Sequence, residues 1–252
     1  MTAADGSDPR SPELSAQYLD ALGIQRWQLR GAEAEQADAV PEDVPAAVAM
    51  PAADPSAGDE AVHESGSAAD QLAALSRQVA ACTACELHRA RQQAVFGVGA
   101  VAARWMIVGE GPGAEEDRRG EPFVGRAGQL LNAMLKAAGF DRKDVYIANI
   151  VKCRPPSNRD PRPEEAAACA GYLRQQITLV KPALILAVGR VAAQNLLGVS
   201  DPLGKLRGRQ YAYGDDGPPV VVTYHPAYLL RSPSAKAKAW QDLCMALDVA
   251  RA

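Results

Sequence analysis

Four cysteines carry the clearest chemical signal in this chain. Cys82 and Cys85 form a C-x2-C pair, and Cys153 and Cys169 follow far downstream as C-x15-C. Thiolates so placed could close one tetrahedral site, and on spacing alone zinc, an iron-sulfur cluster and plain buried cysteines all stay open. Cys244 lies beside Leu243 and Leu247 in the last amphipathic stretch and reads as a small buried hydrophobe.

Three other segments concentrate glycine, proline and polar residues: GEGPGAEEDRRGEPFVGRAGQLL from Gly109, NIVKCRPPSNRDPRPEE from Asn149 and HPAYLLR from His225. The glycines at 109, 111, 113, 120, 125 and 128 let a backbone turn sharply and approach a ligand closely. Neither phosphate motif is matched: no G-x-G-x-x-G opens a helix with an acidic residue after the next strand, and no G-K-[ST] ending occurs. Nucleotide-cofactor binding therefore has little support.

Each segment follows a run that predicts a strand. Apolar stretches at 105–109, 145–151, 183–188 and 220–224 alternate with helical patterns at 70–81, 127–138, 163–180, 190–197 and 235–250. Continuous apolar strands alternating with helices predict a three-layer α/β/α fold around a mostly parallel four-stranded sheet. In such sheets ligands bind at the carboxyl ends of the strands, where the three segments begin.

Charge divides the chain. Residues 1–66 hold 13 acidic and 3 basic side chains, and residues 67–252 hold 17 and 24, so a leader of −10 precedes a body of +7. A basic body suits a phosphate-backbone binder, and an ordinary solvated surface would look the same. Residues 31–66 are rich in Ala, Glu, Asp, Pro, Gly and Ser and read as a disordered acidic linker. Residues 1–30 read as a docking peptide, with Tyr18, Leu19, Leu22 and Trp27 as its apolar cluster. Residues 67–252 read as the folded domain that would carry any catalytic site. No apolar run reaches the ~20 residues of a membrane span and the start lacks an export-signal pattern, so a cytoplasmic protein with no membrane partner is expected.

Taken with the four cysteines, the three segments resemble a family 4 uracil-DNA glycosylase over about residues 70–250. The resemblance implies a uracil-DNA glycosylase-like fold, a 4Fe-4S cluster on Cys82, Cys85, Cys153 and Cys169, and monofunctional hydrolysis of the uracil N-glycosidic bond in base excision repair. Uracil-containing DNA, single- or double-stranded, would be the partner of a monomeric enzyme. Phe123 would stack on the flipped base, Asn149 would read its N3–H and O4 edge, and His225 would hydrogen-bond its O2 as charge develops. Glu110, a catalytic candidate with Asn149 and His225, and the Gly111 backbone would border the uracil, and Glu116 would fill the space of a thymine methyl.

The HPAYLLR segment is expected as a loop, with Leu229 or Leu230 as a minor-groove wedge and Arg231 on phosphate. Lys152, Arg154, Arg159 and Arg162 are further candidates for backbone contacts. A water-activating group is not evident, since Gly111 stands where better-known families carry Asp or Asn. A uracil-DNA-crosslinking subgroup uses an inserted basic loop with a His, and residues 155–165 contain no His. The stretch LDALGIQRWQLR resembles the leading segment of the psi subunit of bacterial clamp loaders, which implies docking on a chi subunit through residues 15–30. Two other readings stand beside the enzyme: a catalytically weak iron-sulfur nucleic-acid-binding module of the replication machinery, and a zinc-stabilised α/β domain with unrelated hydrolase activity.

Overall fold

The computed structural model describes residues 66–251. The docking peptide expected at 1–30 lies outside them, as does the linker expected at 31–66 except for Gly66. Helix α1 (Ala68–Ala81) starts at a capping box in which Ser67 and Asp70 satisfy one another's backbone amides. The strands that follow are β1 (Val98–Gly99), β2 (Trp105–Gly109), β3 (Tyr146–Asn149), β4 (Leu184–Val188), β5 (Gln210–Ala212) and β6 (Pro219–Thr223). Between and after them run α2 (Ala114–Arg119), α3 (Arg126–Ala137), α4 (Pro163–Val180), α5 (Arg190–Leu197), α6 (Leu203–Leu206), α7 (Pro226–Arg231) and α8 (Lys236–Val249).

The sheet order is β1-β3-β2-β4-β6-β5. The four expected strands are its parallel centre. Two further strands pair antiparallel at its edges, widening the sheet to six. At two and three residues, β1 and β5 are too short to show a period in sequence.

Alternation along each central strand feeds two cores. Trp105 and Ile107 pack with Leu131 and Met134 of α3 and Leu243 of α8 on one face. Met106 and Val108 pack with Leu173 and Ile177 of α4 and Leu196 of α5 on the other. Both faces are covered, so these strands lack the polar alternation of a half-exposed sheet. Each fully buried Leu, Ile or Met contributes roughly 1.5–3 kcal/mol, which makes the sheet a rigid base for the loops at its carboxyl end.

Below the last of those loops, Asp242 of α8 accepts two hydrogen bonds from Arg207 (2.7 and 2.8 Å) and one from Thr223 (2.7 Å). This buried tie fixes the end of β6, two residues ahead of His225. The HPAYLLR segment is helical: Pro226 takes the first helical position, where its missing N–H costs nothing, and His225 is the N-cap. Among the described residues no helix is long and apolar enough to cross a membrane.

Candidate active site

A cleft of about 530 Å³ opens where β2, β3 and β6 end, and Glu110, Phe123, Asn149, His225, Tyr228 and Arg231 all line it. Phe123, Asn149 and His225, spread over about a hundred residues of the chain, thus share one mouth.

Phe123 has φ +54°, a left-handed backbone that costs a bulky side chain of order 1–3 kcal/mol. Two glycines make room for it. A Cβ on Gly128 would lie 1.8 Å from the Phe123 carbonyl oxygen, and one on Gly109 would lie 2.7 Å from the ring and 2.5 Å from Asn149 Oδ1. The ring stacks against His225 with centroids 5.6 Å apart and planes 30° from parallel. Glu116 borders the cleft and its Oε1 accepts the amides of Val124 (2.9 Å) and Gly125 (3.0 Å). Its carboxylate therefore secures the turn after Phe123.

Asn149 is 2% exposed, and its Oδ1 is the one buried side-chain N or O atom among the described residues with no hydrogen-bond partner. Leaving such an acceptor unmet costs about 1–3 kcal/mol. A ligand with an N–H aimed at that oxygen would recover it.

His225 Nδ1 accepts the Ala227 amide at 3.2 Å. The ring proton must then sit on Nε2, which is left as a donor. Burial pushes the His225 pKa down to about 4, with Arg231 adding to the fall and Glu116 opposing it. The imidazole is consequently neutral at physiological pH, and a neutral donor suits an anionic leaving group without transferring its proton in advance.

Glu110 sits at the other wall. Burial, followed by the charge of Asp160 and a hydrogen bond to it, pushes its pKa up to about 7, while Arg190 works the other way. Asp160 is ion-paired with Arg190. At Gly111 a Cβ would lie 2.8 Å from Val151 Cγ2, so this backbone has no ready space for the Asp or Asn that other families place there.

Asn158 and Asp160 also line the cleft, and sequence reasoning passed over both. The available signal was the Pro-Pro-Ser-Asn run, which forms a tight turn with Ser157 at φ +55° and Asn158 at φ +52°. Asn158 Oδ1 accepts from Arg154 at 2.7 Å. Arg159 forms a bidentate pair with Glu165 (2.8 and 2.7 Å). Lys152, expected as a phosphate contact, is buried at 1% exposure and donates to the Asn149 carbonyl and Gln176, so no phosphate can reach it. Of the two wedge candidates, Leu229 is 0% exposed and belongs to the core, whereas Leu230 is 38% exposed. The helical path of α7 causes the split, turning one leucine inward and its neighbour out.

On the far side of β3, Cys82, Cys85, Cys153 and Cys169 border one small cavity. N–H groups already face three of these sulfurs: Arg91 donates to Cys153 Sγ (2.9 Å), Lys152 N to Cys169 Sγ (3.4 Å) and Ala84 N to Cys82 Sγ (3.5 Å). Among the described residues no three or more His, Cys, Asp or Glu side chains are gathered to hold a single metal ion. Cys244 packs against the opposite core but is only partly buried there.

The profile of the Uracil DNA glycosylase superfamily matches residues 96–244. A type-4 uracil-DNA glycosylase of Thermotoga maritima is 48% identical over 161 residues, covering 64% of this chain and 83% of the relative. Those of Pyrobaculum aerophilum (46%, 65% of this chain and 87% of the relative) and Archaeoglobus fulgidus (40%, 69% and 90%) agree. The chain belongs to the type-4 uracil-DNA glycosylases. The matched span takes in every cleft residue named above and, of the four cysteines, Cys153 and Cys169. Family membership accounts for the three-layer fold.

Proposed function

We propose that this chain flips uracil out of DNA into the cleft and hydrolyses its N-glycosidic bond, the first step of base excision repair. The observation that carries the reading is the unpartnered Asn149 Oδ1, buried beside the Phe123 ring and the His225 donor. Uracil presents an N3–H to such an acceptor and an O4 to the amide donors. Cytosine presents an acceptor at N3 and an amino group in place of O4, so it would meet the same amide with both polarities reversed.

With the base stacked on Phe123, His225 Nε2–H would donate to O2. As the C1′–N1 bond breaks, its electron pair passes to the base, and the hydrogen bond strengthens as the uracil anion forms. Such a donor contributes about 3 kcal/mol. Water then bonds to C1′ of the oxocarbenium-like sugar and loses a proton, leaving abasic DNA. Glu110, Asn158 and Asp160 are the polar groups of the cleft available to that water. Leu230 and Arg231, both exposed beside the mouth, are suited to fill the vacated stack and to contact phosphate. Glu116 is proposed to exclude thymine, whose methyl would have to displace a carboxylate anchored to two amides.

The four cysteines suit a 4Fe-4S cluster. A single zinc ion would draw its sulfurs to roughly 3.8 Å apart, whereas a cluster spreads its ligands around a shared volume. The N–H groups aimed at three sulfurs favour the anionic thiolates it would need. When bound, the cluster would supply cross-linking of α1, the 149–153 loop and α4, with no redox step. Docking of residues 15–30 on a clamp-loader chi subunit is proposed from sequence alone, with Trp27→Ala expected to abolish co-elution with purified chi.

Incubation with a uracil-containing oligonucleotide followed by alkali tests the reaction. Wild type is expected to cut at uracil, and His225→Ala and Asn149→Ala to lose about 100- to 1,000-fold in kcat. Variants as active as wild type would remove this assignment of the pocket.

A further inference from the structure

Phe123 needs more than space to hold its left-handed backbone, and the restraint comes from outside the cleft. Arg142 opens the short 3-10 turn Arg142–Asp144 and is not itself one of the cleft-lining residues. Its Nη2 donates to the Pro122 carbonyl (2.6 Å) and to Glu121 Oε1 (3.0 Å), and its Nη1 donates to the Phe123 carbonyl (3.3 Å) and to Asn132 Oδ1 on α3 (3.1 Å). One planar cation therefore ties two successive carbonyls of the Phe123 turn to a helix of the core. From the other side Glu116 Oε1 accepts the next two amides, those of Val124 and Gly125. A cation on the carbonyls and an anion on the amides grip the same four-residue turn.

We infer that Arg142, with Glu116 opposite it, is a positioning residue that holds the Phe123 ring at the stacking angle needed by the flipped base. Its guanidinium touches no reacting atom and acts through the Phe123 backbone. A fork with several donors at fixed angles is required, because the two carbonyls and Asn132 must be met together. Lysine, whose three donors all radiate from one nitrogen, cannot span the two carbonyls and Asn132 together and would leave at least one of them unheld. The Glu121 ion pair is half-exposed and incidental, since the carbonyl contacts do not depend on it.

The inference rests on the uracil-excision reading, and a double-mutant cycle keeps the two separable. Full-length cluster-loaded protein is assayed on uracil oligonucleotide for kcat and KM, and for inhibition by free uracil. The set comprises wild type, Arg142→Ala, Arg142→Lys, Phe123→Leu, the Arg142→Ala/Phe123→Leu double variant and Glu121→Gln, with the melting temperature of each. Arg142→Ala is expected to lower kcat/KM about 10- to 100-fold and to weaken uracil inhibition in parallel. In the Phe123→Leu background the same change should cost less than about threefold, because there is no ring left to misplace. Glu121→Gln should match wild type. If Arg142→Ala does not fold, Arg142→Lys carries the comparison alone. Equal costs in both backgrounds, or uracil inhibition unchanged by loss of Arg142, would overturn the inference. A wild type that releases no uracil would instead overturn the parent reading.

Discussion

Two sites grow from the end of β3, and they are built in opposite ways. Asn149 faces the cleft and Cys153, four residues on, faces the cysteine cavity. The cleft is open, lined by polar groups, and keeps a left-handed phenylalanine and an unpaired amide oxygen. The cysteine cavity is small and flanked by N–H donors that answer its sulfurs. One region holds unmet bonding capacity ready for a ligand, and the other binds distant segments together. If this contrast is right, damage to the first should remove catalysis while the fold persists, and damage to the second should loosen the fold.

The largest effect should come from the cysteine side. Cys153→Ala would remove one of four cross-links between α1, the β3 loop and α4, and a loss of a few kcal/mol lowers Tm by about 10 °C in a domain of this size. Visible absorption should fall with it. A variant that keeps both absorption and Tm would show that the thiol is not a ligand, and the two regions would no longer differ in kind.

Next comes the cleft. In Gly128→Ala the new methyl must displace the Phe123 carbonyl, from which it would stand 1.8 Å away. The stacking ring moves, and a displacement of an ångström can cost about 100-fold in rate. Absorption by the cluster should be kept, since the cysteine cavity lies on the other side of the sheet. Parallel loss of absorption and activity would merge the two sites into one cooperative unit. A smaller effect is expected at α7: Leu230→Ala should weaken excision from duplex DNA several-fold more than from single strands, whereas Leu229→Ala should chiefly destabilise the protein, by about 2–5 kcal/mol. The order of those two phenotypes tests which leucine faces DNA.

Legibility in the sequence followed the same division. The four central strands and the long helices could be read because burial on both faces and an apolar stripe leave local, periodic marks. The cysteines could be read as one group because their chemistry is rare in a chain with five of them. The three cleft segments were legible as unusual runs at strand ends, the first rich in glycine and the second in proline, and the sheet brings them together. What held them was not legible. The fork from Arg142 to Pro122 and Phe123 spans about 20 residues, and the tie from Arg207 to Asp242 spans 35. Neither leaves a local pattern. The helix over 226–231 was hidden for another reason: its proline suggests a turn, yet at the first helical position proline is compatible with the helix it opens. Lys152 in a basic run looked solvent-facing, and the buried Asn149 carbonyl and Gln176 that its ammonium meets show otherwise.

The smallest predicted effect is in pH, and it separates the two walls of the cleft itself. Glu110 has a folded-state pKa near 7, raised from an ordinary 4.5 by burial and by Asp160. Between those values the folded chain holds a proton that the unfolded chain has lost, so this group's contribution is complete below about 4.5 and disappears as pH rises through 7. His225 behaves in the opposite sense: its pKa falls from 6.5 to about 4, and its contribution grows as pH rises across that window. Subtracting the Tm profile of Glu110→Gln from that of wild type cancels the His225 part, which both proteins share. The difference should fall steadily from about pH 4.5 to 7 and then level off. With Asp160→Asn as the starting protein, the loss of a neighbouring negative charge should bring the levelling point to lower pH. Arg190→Gln should carry it higher, because the cation that opposes the shift is gone. A flat difference profile would mean that the Glu110 carboxyl is ionised like any surface carboxylate, and that this wall of the cleft is as solvated as bulk surface.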